Sequence, residues 1–127
     1  MPTAANGKSV RACPPKAPLR ERPPITSEQA LSLESLFGVL ANDTRLRLLH
    51  EIARHGEICV TDLANVLEMK PQAVSNQLQR LSDKGIVGSR REGNNVYYRI
   101  LDGCVIILLE RGLCLIEETA KRKERVP

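Results

Sequence analysis

Apolar residues recur at helical spacing along most of the chain after its first 25 residues. The pattern predicts three successive helices, over residues 27–40, 44–55 and 60–67. Thr26 supplies a start signal for the first helix, and Gly56 a stop signal for the second. In the second helix, Leu46, Leu49 and Ile52 share one face and are expected to point inward.

The segment after the third helix combines one apolar face with one face of hydrogen-bonding side chains. Pro71 suits the first position of a helix over about 70–81, and Val74, Leu78 and Leu81 form its apolar stripe. The opposite face carries Gln72, Ser75, Asn76 and Gln79. Because Gln and Asn amides place a donor beside an acceptor, they can contact adenine bidentately in the major groove. The pattern is typical of a DNA-reading helix, although an ordinary amphipathic helix with a solvated polar face has the same periodicity.

Two β-rich runs follow, over 86–91 and 96–100, joined by a loop of about four residues, Glu92-Gly93-Asn94-Asn95. A hairpin after a helix-turn-helix is a wing. We expect Arg90 and Arg91 at its exposed end to bind phosphates or enter a minor groove. Asn94 is also predicted to contact DNA. The alternative is that both arginines are solvated charges on an edge strand, where they discourage aggregation.

The last predicted helix, over 102–121, is apolar on nearly all sides. Its apolar positions are Val105, Ile106, Ile107, Leu108, Leu109, Leu113, Leu115 and Ile116. A small domain cannot cover such a helix alone, so with the apolar first helix it indicates a partner surface, most simply a second copy of the chain. Two copies would present two reading helices about one DNA turn apart. The predicted fold is a mainly α (α+β), homodimeric winged helix-turn-helix of order α-α-α-α-β-β-α.

Charge and composition divide the chain into a tail and one domain. Of the 127 residues, 1–25 hold five basic and one acidic side chain and six of the eight prolines, which favours a disordered basic tail without secondary structure. Such a tail strengthens phosphate contact without reading sequence, or serves only as a solubilising leader. Residues 26–120 form the DNA-binding and dimerisation domain, and 121–127 a charged C-terminal tail.

Several protein classes are disfavoured. The chain has no signal-peptide core and no membrane-length apolar segment, so we expect a cytoplasmic protein whose four cysteines are thiols or metal ligands. No nucleophile–base pair, phosphate-binding glycine loop or useful carboxylate pair appears, which makes an enzyme the least favoured class. A winged-helix module that binds only proteins remains an alternative.

Three segments carry a resemblance to a known family. These are LANDTRLRLL (40–49), EICVTDLA (57–64) and VSNQL (74–78). With the order of the elements, they make residues 27–118 resemble the arsenic-repressor (ArsR/SmtB) family of winged-helix metal sensors. The resemblance implies a homodimeric repressor that binds operator DNA when metal-free and releases it on binding a metal ion.

The chain departs from the metal-site patterns of that family. Members often carry CVCDL at the third helix, whereas here Cys59 is followed by Thr61 in the second cysteine position. A second family pattern binds zinc between terminal helices through Asp, His and Glu. At the matching places this chain has Cys104 and Cys114, so the resemblance implies a softer ligand set.

Cys104 and Cys114 are separated by about 15 Å along one helix, so they cannot bind one ion within it. If two terminal helices cross antiparallel near Leu109, Cys104 of one chain faces Cys114 of the other. Two sulfurs suit linear mercury(II), our favoured effector, and a third suits cadmium, lead or arsenite, whereas zinc prefers four ligands. Cys59 either supplies that third sulfur or forms a separate site with Cys13, and each cysteine alone could simply fill space. A thiol redox sensor with disulfides between Cys104 and Cys114 of facing chains is the alternative.

Overall fold

The computed structural model describes residues 10–125 as a winged helix-turn-helix with five α-helices and a small antiparallel sheet. The helices are α1 Ser27–Leu40, α2 Asp43–His55, α3 Val60–Leu67, α4 Pro71–Asp83 and α5 Gly103–Arg125. The strands are β1 Ile58–Cys59, β2 Val87–Glu92 and β3 Asn95–Ile100. The predicted mainly α fold is confirmed.

The helix ends follow local capping chemistry. At α1, the Thr26 hydroxyl accepts from Gln29 N at 3.0 Å while the Gln29 side chain accepts from Thr26 N at 2.9 Å, which forms a capping box. At α2, the Asn42 side chain accepts from Arg45 N at 3.1 Å. Gly56 ends α2 with a positive φ of 79°, a conformation that side chains with a Cβ rarely adopt. These caps explain why the predicted helix starts lie within a residue of the observed ones.

The sheet has the strand order β1-β3-β2 and differs from the prediction in two places. No strand was predicted at β1, which is only two residues long and pairs Ile58 with Tyr98. The predicted four-residue loop is also too long, because Glu92 pairs with Asn95 and leaves a two-residue turn. Gly93 takes the positive φ of 64° that such a tight turn requires.

The core lies between α2, α3, α4 and the sheet. Its fully buried side chains are Leu48, Leu49, Ile52, Leu63, Val74, Leu78, Leu81, Val87 and Ile100. One inward prediction is wrong: Leu46 is 39% exposed, and Leu48 is buried instead. Burial of Val74, Leu78 and Leu81 holds α4 by one face, so its opposite face is directed to solvent.

The N-terminal segment is more ordered than its composition predicts. Leu19–Glu21 forms a 3-10 turn, and residues 10–13, which we call the arm, lie beside the start of α5. The prediction of a tail without secondary structure is therefore wrong for Leu19–Glu21 and for the bridge residue Arg11, while residues 1–9 lie outside the described part. The contacts of the arm run through its backbone: Arg11 N donates to Leu101 O at 3.1 Å, and Gly103 N donates to Arg11 O at 2.6 Å. Composition does not reveal backbone pairing of this kind.

At the other end of the chain, α5 continues past Lys121 to Arg125. The helix thus includes most of the segment that the sequence analysis assigned to a separate charged tail. Two side-chain contacts in this last part follow helical spacing, from Lys121 to Glu118 at 3.4 Å and from Arg122 to Thr119 at 3.0 Å. Charge alone therefore did not indicate where the helix ends.

Candidate nucleic-acid interface and thiol site

Helix α4 presents its predicted reading face to solvent. Gln72, Asn76 and Gln79 are exposed and Ser75 is half-buried. Gln72 Nε2 donates to Asn76 Oδ1 at 3.0 Å, and Gln79 Nε2 donates to Asp83 Oδ1 at 2.9 Å. Each of these Gln amides has a second N–H and a carbonyl oxygen, so the contacts orient the side chains and leave groups that can bond to base edges. The structure thus brings all four predicted residues together on one helix.

The wing tip lies close to α4 at a small polar cleft. The cleft has a volume of about 240 Å³ and is lined by Val60, Thr61, Ser75, Asn94, Asn95, Val96 and Tyr98. It joins two of the predicted DNA-contacting residues, Ser75 of α4 and Asn94 of the turn between β2 and β3. Their hydroxyl and amide groups are of the kind that bond to phosphate oxygens.

The two wing arginines have different surroundings. Arg90 Nη2 lies 2.8 Å from Glu57 Oε1, and Arg90 Nη1 lies 2.6 Å from Glu92 Oε1. Its guanidinium also lies 4.7 Å from the ring centroid of Tyr97. Acceptance of its hydrogen bonds by Glu57, and then by Glu92, raises the pKa of Arg90 further above its ordinary value.

These contacts correct the expected exposure of Arg90. The side chain is only 24% exposed and is paired with two carboxylates. It therefore anchors the wing to Glu57 and does not project into solvent. Arg91 is exposed, and no ion pair of its side chain occurs within residues 10–125. Phosphate contact by the wing therefore stays a prediction that fits Arg91 better than Arg90.

The thiol site differs from the predicted arrangement. Cys13 of the arm is disulfide-bonded to Cys104 in the first turn of α5, and the two Cα atoms are 4.8 Å apart. The predicted partner of Cys104 was Cys114 of a second chain, and the predicted partner of Cys13 was Cys59. The Cys13–Cys104 pair was not predicted, and it forms because the backbone of the arm lies against Asp102 and Gly103 and carries Cys13 to this point. A contact of Cys104 with Cys114 of a second chain stays a prediction.

The remaining cysteines lie in different environments. Cys59 is buried in β1 and directly precedes α3. Cys114 is an exposed free thiol on α5. Across the described residues of one chain, no cluster of three or more His, Cys, Asp or Glu side chains suits a metal ion. A three-ligand site at Cys13 and Cys104 would thus need a ligand from another molecule.

A broad apolar surface lies on the side of the molecule formed by α1 and α5. Within α1 only Leu40 is buried, and the exposed side chains of the two helices include Leu33, Leu36, Phe37, Ile107, Leu108, Leu113 and Ile116. A groove of about 660 Å³ runs between Phe37, Leu46, Leu108 and Leu113. Exposed apolar area of this extent is typical of a subunit interface. Within residues 10–125, no helix is both long and apolar enough to span a lipid bilayer.

Comparison with known proteins agrees with this geometry. Residues 42–94 match the model of the MarR family. The crystal structure of the AntR antimony-specific transcriptional repressor is 60% identical in sequence, covers 86% of this chain and 98% of its own, and has a TM-score of 0.75. The cadmium resistance regulatory protein CadC homolog of Staphylococcus aureus is 31% identical, over 80% of this chain and 84% of its own.

A third relative bears on assembly. The homodimeric winged helix-turn-helix DNA-binding domain Mb0332 of Mycobacterium bovis, a possible ArsR-family regulator, is 31% identical and covers 77% of this chain and 93% of its own, with a TM-score of 0.66. That domain is homodimeric, and the exposed apolar faces of α1 and α5 give this chain a surface of the kind that subunits bury. With this fold, this identity and this coverage, the chain belongs to the ArsR/SmtB family of homodimeric, winged-helix, metal-sensing transcriptional repressors.

Proposed function

We propose that this protein is a cytoplasmic repressor that binds operator DNA as a dimer and releases it when a soft, thiophilic ion binds its cysteines. Trivalent antimony or arsenic is the favoured effector, ahead of the mercury(II) that the sequence alone favoured. The observation that carries the proposal is the placement of Cys13 beside Cys104 at the start of α5, where the structure joins them in a disulfide.

The DNA-binding part of the proposal rests on two exposed surfaces. The reading face of α4 carries Gln72, Asn76 and Gln79 for base contacts. Arg91 on the wing and the polar cleft at Ser75 and Asn94 supply groups for phosphates. In a dimer, two such surfaces would bind a nearly palindromic operator with half-sites about one helical turn apart.

The effector part rests on the chemistry of sulfur. In its reduced form the Cys13–Cys104 pair offers two thiolates, and thiolates select soft ions over hard ones. Two sulfurs suit linear mercury(II), whereas trivalent antimony or arsenic prefers three. Cys114 of the partner subunit is the candidate third ligand, because Cys114 is an exposed thiol on a helix with an apolar dimerisation face.

The choice of antimony or arsenic draws on the relatives. The antimony-specific repressor is 60% identical to this chain over nearly its whole length. An arsenic resistance regulator of Pseudomonas putida is 45% identical over 65 residues. A bound ion would join the arm to α5 and so link the effector site to the helix that carries the subunit interface.

A titration of the reduced, full-length protein tests the proposal. Operator binding is followed by fluorescence anisotropy while antimony(III) tartrate, arsenite, mercury(II), cadmium or zinc is added. We expect antimony(III) or arsenite to weaken binding by about 5- to 150-fold, the usual range of allosteric coupling. Release by mercury(II) alone would instead support the two-sulfur site, and release by none of the five would refute the proposed function.

Four serine variants identify the ligands. C13S and C104S should abolish the response and C114S should weaken it, because each removes a proposed sulfur ligand. C59S is the matched control, since Cys59 is a buried free thiol outside the proposed ligand set, and this variant should respond as the unaltered protein does. If the C13S/C104S double variant still released its operator, the proposed site would be wrong.

A further inference from the structure

Arg45, near the start of α2, contacts two other helices at once. Its Nη1 donates to Val39 O in the last turn of α1 at 2.8 Å, and its Nε donates to Gln77 Oε1 on α4 at 2.9 Å. Both contacts are partly buried. A single guanidinium therefore connects the helix of the exposed apolar surface with the helix that reads DNA.

The contact with α1 satisfies a group that the helix itself leaves without a partner. Because α1 ends at Leu40, the Val39 carbonyl has no N–H from a following turn to accept. A cation at the C-terminus of a helix is also favoured by the helix dipole. Since Leu40 is the only buried residue of α1 and Val39 is half-buried, the placement of α1 on its own protomer depends on this last turn.

The contact with α4 lies just beside the reading face. Gln77 is half-buried, between the exposed Asn76 and the fully buried Leu78. Its side-chain oxygen Oε1 accepts a hydrogen bond from Arg45. A shift of the end of α1 would therefore move α4 through the Arg45 side chain. A planar guanidinium can hold both helices at once, because its N–H donors point in fixed directions. A lysine ammonium is a compact point charge whose donors rotate freely.

We propose that Arg45 is a positioning residue that sets the angle between the dimerisation helix α1 and the reading helix α4, and thereby the separation of the two reading helices in the dimer. The inference rests on operator binding by the dimer but not on the identity of the effector. Its consequence is specific: without Arg45, each protomer keeps its base contacts while the dimer loses its preference for one half-site spacing.

The test uses the full-length dimer and a panel of duplexes. Two copies of a half-site obtained by selection from random DNA are separated by the selected spacing, or by one to three base pairs more or fewer. The unaltered protein should prefer one spacing by about tenfold or more, as two rigidly held reading helices require. R45M should bind that spacing about tenfold less tightly and should vary less than about threefold across the panel.

Two further variants make the result interpretable. Arg54→Met is the matched control, because Arg54 also lies on α2 but pairs with Glu51 of the same helix, at 2.9 Å, and it should keep the full spacing preference. Q77M removes the acceptor on α4 without altering Arg45, should flatten the spacing profile as R45M does, and serves if R45M does not fold. The R45M/Q77M double variant should be no worse than R45M alone, because R45M already removes the contact with Gln77.

The outcomes are distinct. Retention of the unaltered spacing profile by folded R45M, or by Q77M, would overturn the inference while leaving the proposed function intact. Failure of the unaltered protein to bind any duplex would instead overturn the proposed function. Sedimentation of each variant as a dimer ensures that a flattened profile reflects changed geometry rather than lost assembly.

Discussion

Arg90 Nη2 lies 2.8 Å from Glu57 Oε1, across a gap of 33 residues in the sequence. The pair joins the middle of β2 to the residue just before β1, and Glu92 and the ring of Tyr97 complete the surroundings of the guanidinium. Two arginines that are adjacent in sequence therefore have separate roles, because Arg90 fastens the wing and Arg91 stays exposed on it.

Separate roles predict separate defects for the two arginines. Arg91→Ala should weaken operator binding severalfold and reduce the slope of log affinity against log salt by about one, as the loss of one phosphate contact requires. Arg90→Ala should instead lower the thermal midpoint of unfolding, because it removes the guanidinium that joins β2 to Glu57 and contacts Glu92. Anisotropy at several salt concentrations, together with thermal melts, distinguishes them. An unchanged salt slope in R91A would contradict the assignment of Arg91 to a phosphate.

The two faces of α4 should also separate stability from DNA binding. Leu78 is fully buried, so Leu78→Ala should lower the free energy of unfolding by about 2–5 kcal/mol, as deletion of a buried leucine side chain does. Gln79 is exposed on the same helix, and Gln79→Ala should change that free energy by less than about 0.5 kcal/mol. Urea denaturation measures both. Only Q79A should lose operator affinity at full stability, and unaltered affinity would remove Gln79 from the reading face.

The helices and the exposed polar face of α4 could be predicted from the sequence because their causes are local. Caps such as Asn42 and Gly56 and the apolar stripe of α4 lie within a few residues of what they determine. The long-range pairings could not be predicted from the sequence. Arg90 meets Glu57, and Cys13 meets Cys104, across 91 residues in the latter case, through a backbone contact that residue types do not encode. Strand β1 was missed because two residues are too few for an alternating pattern.

Gly103 should be required for docking of the arm. A Cβ at this position would lie 3.0 Å from Arg11 O and 3.4 Å from Cys13 N, both backbone atoms that cannot rotate away. Gly103→Ala should therefore displace the arm and increase the rate at which a maleimide labels Cys13 in the reduced protein. Arg11→Ala is the control, because the arm is held through the backbone of Arg11 and should stay docked. Equal labelling rates in G103A and R11A would argue against a docked arm.

The apolar surface of α1 and α5 should determine assembly. Leu108 is 37% exposed and lines the groove beside Phe37, so Leu108→Glu would place a charge within the dimer interface. We expect L108E to sediment as a monomer at concentrations where the unaltered protein is a dimer, and to lose operator affinity because one reading helix then binds alone. Val66 is 50% exposed on α3, away from that groove, which makes V66E the matched control for adding a carboxylate to an exposed apolar position. A dimeric L108E would mean that the subunits meet through a different surface, whereas a monomeric V66E would mean that the interface extends to α3.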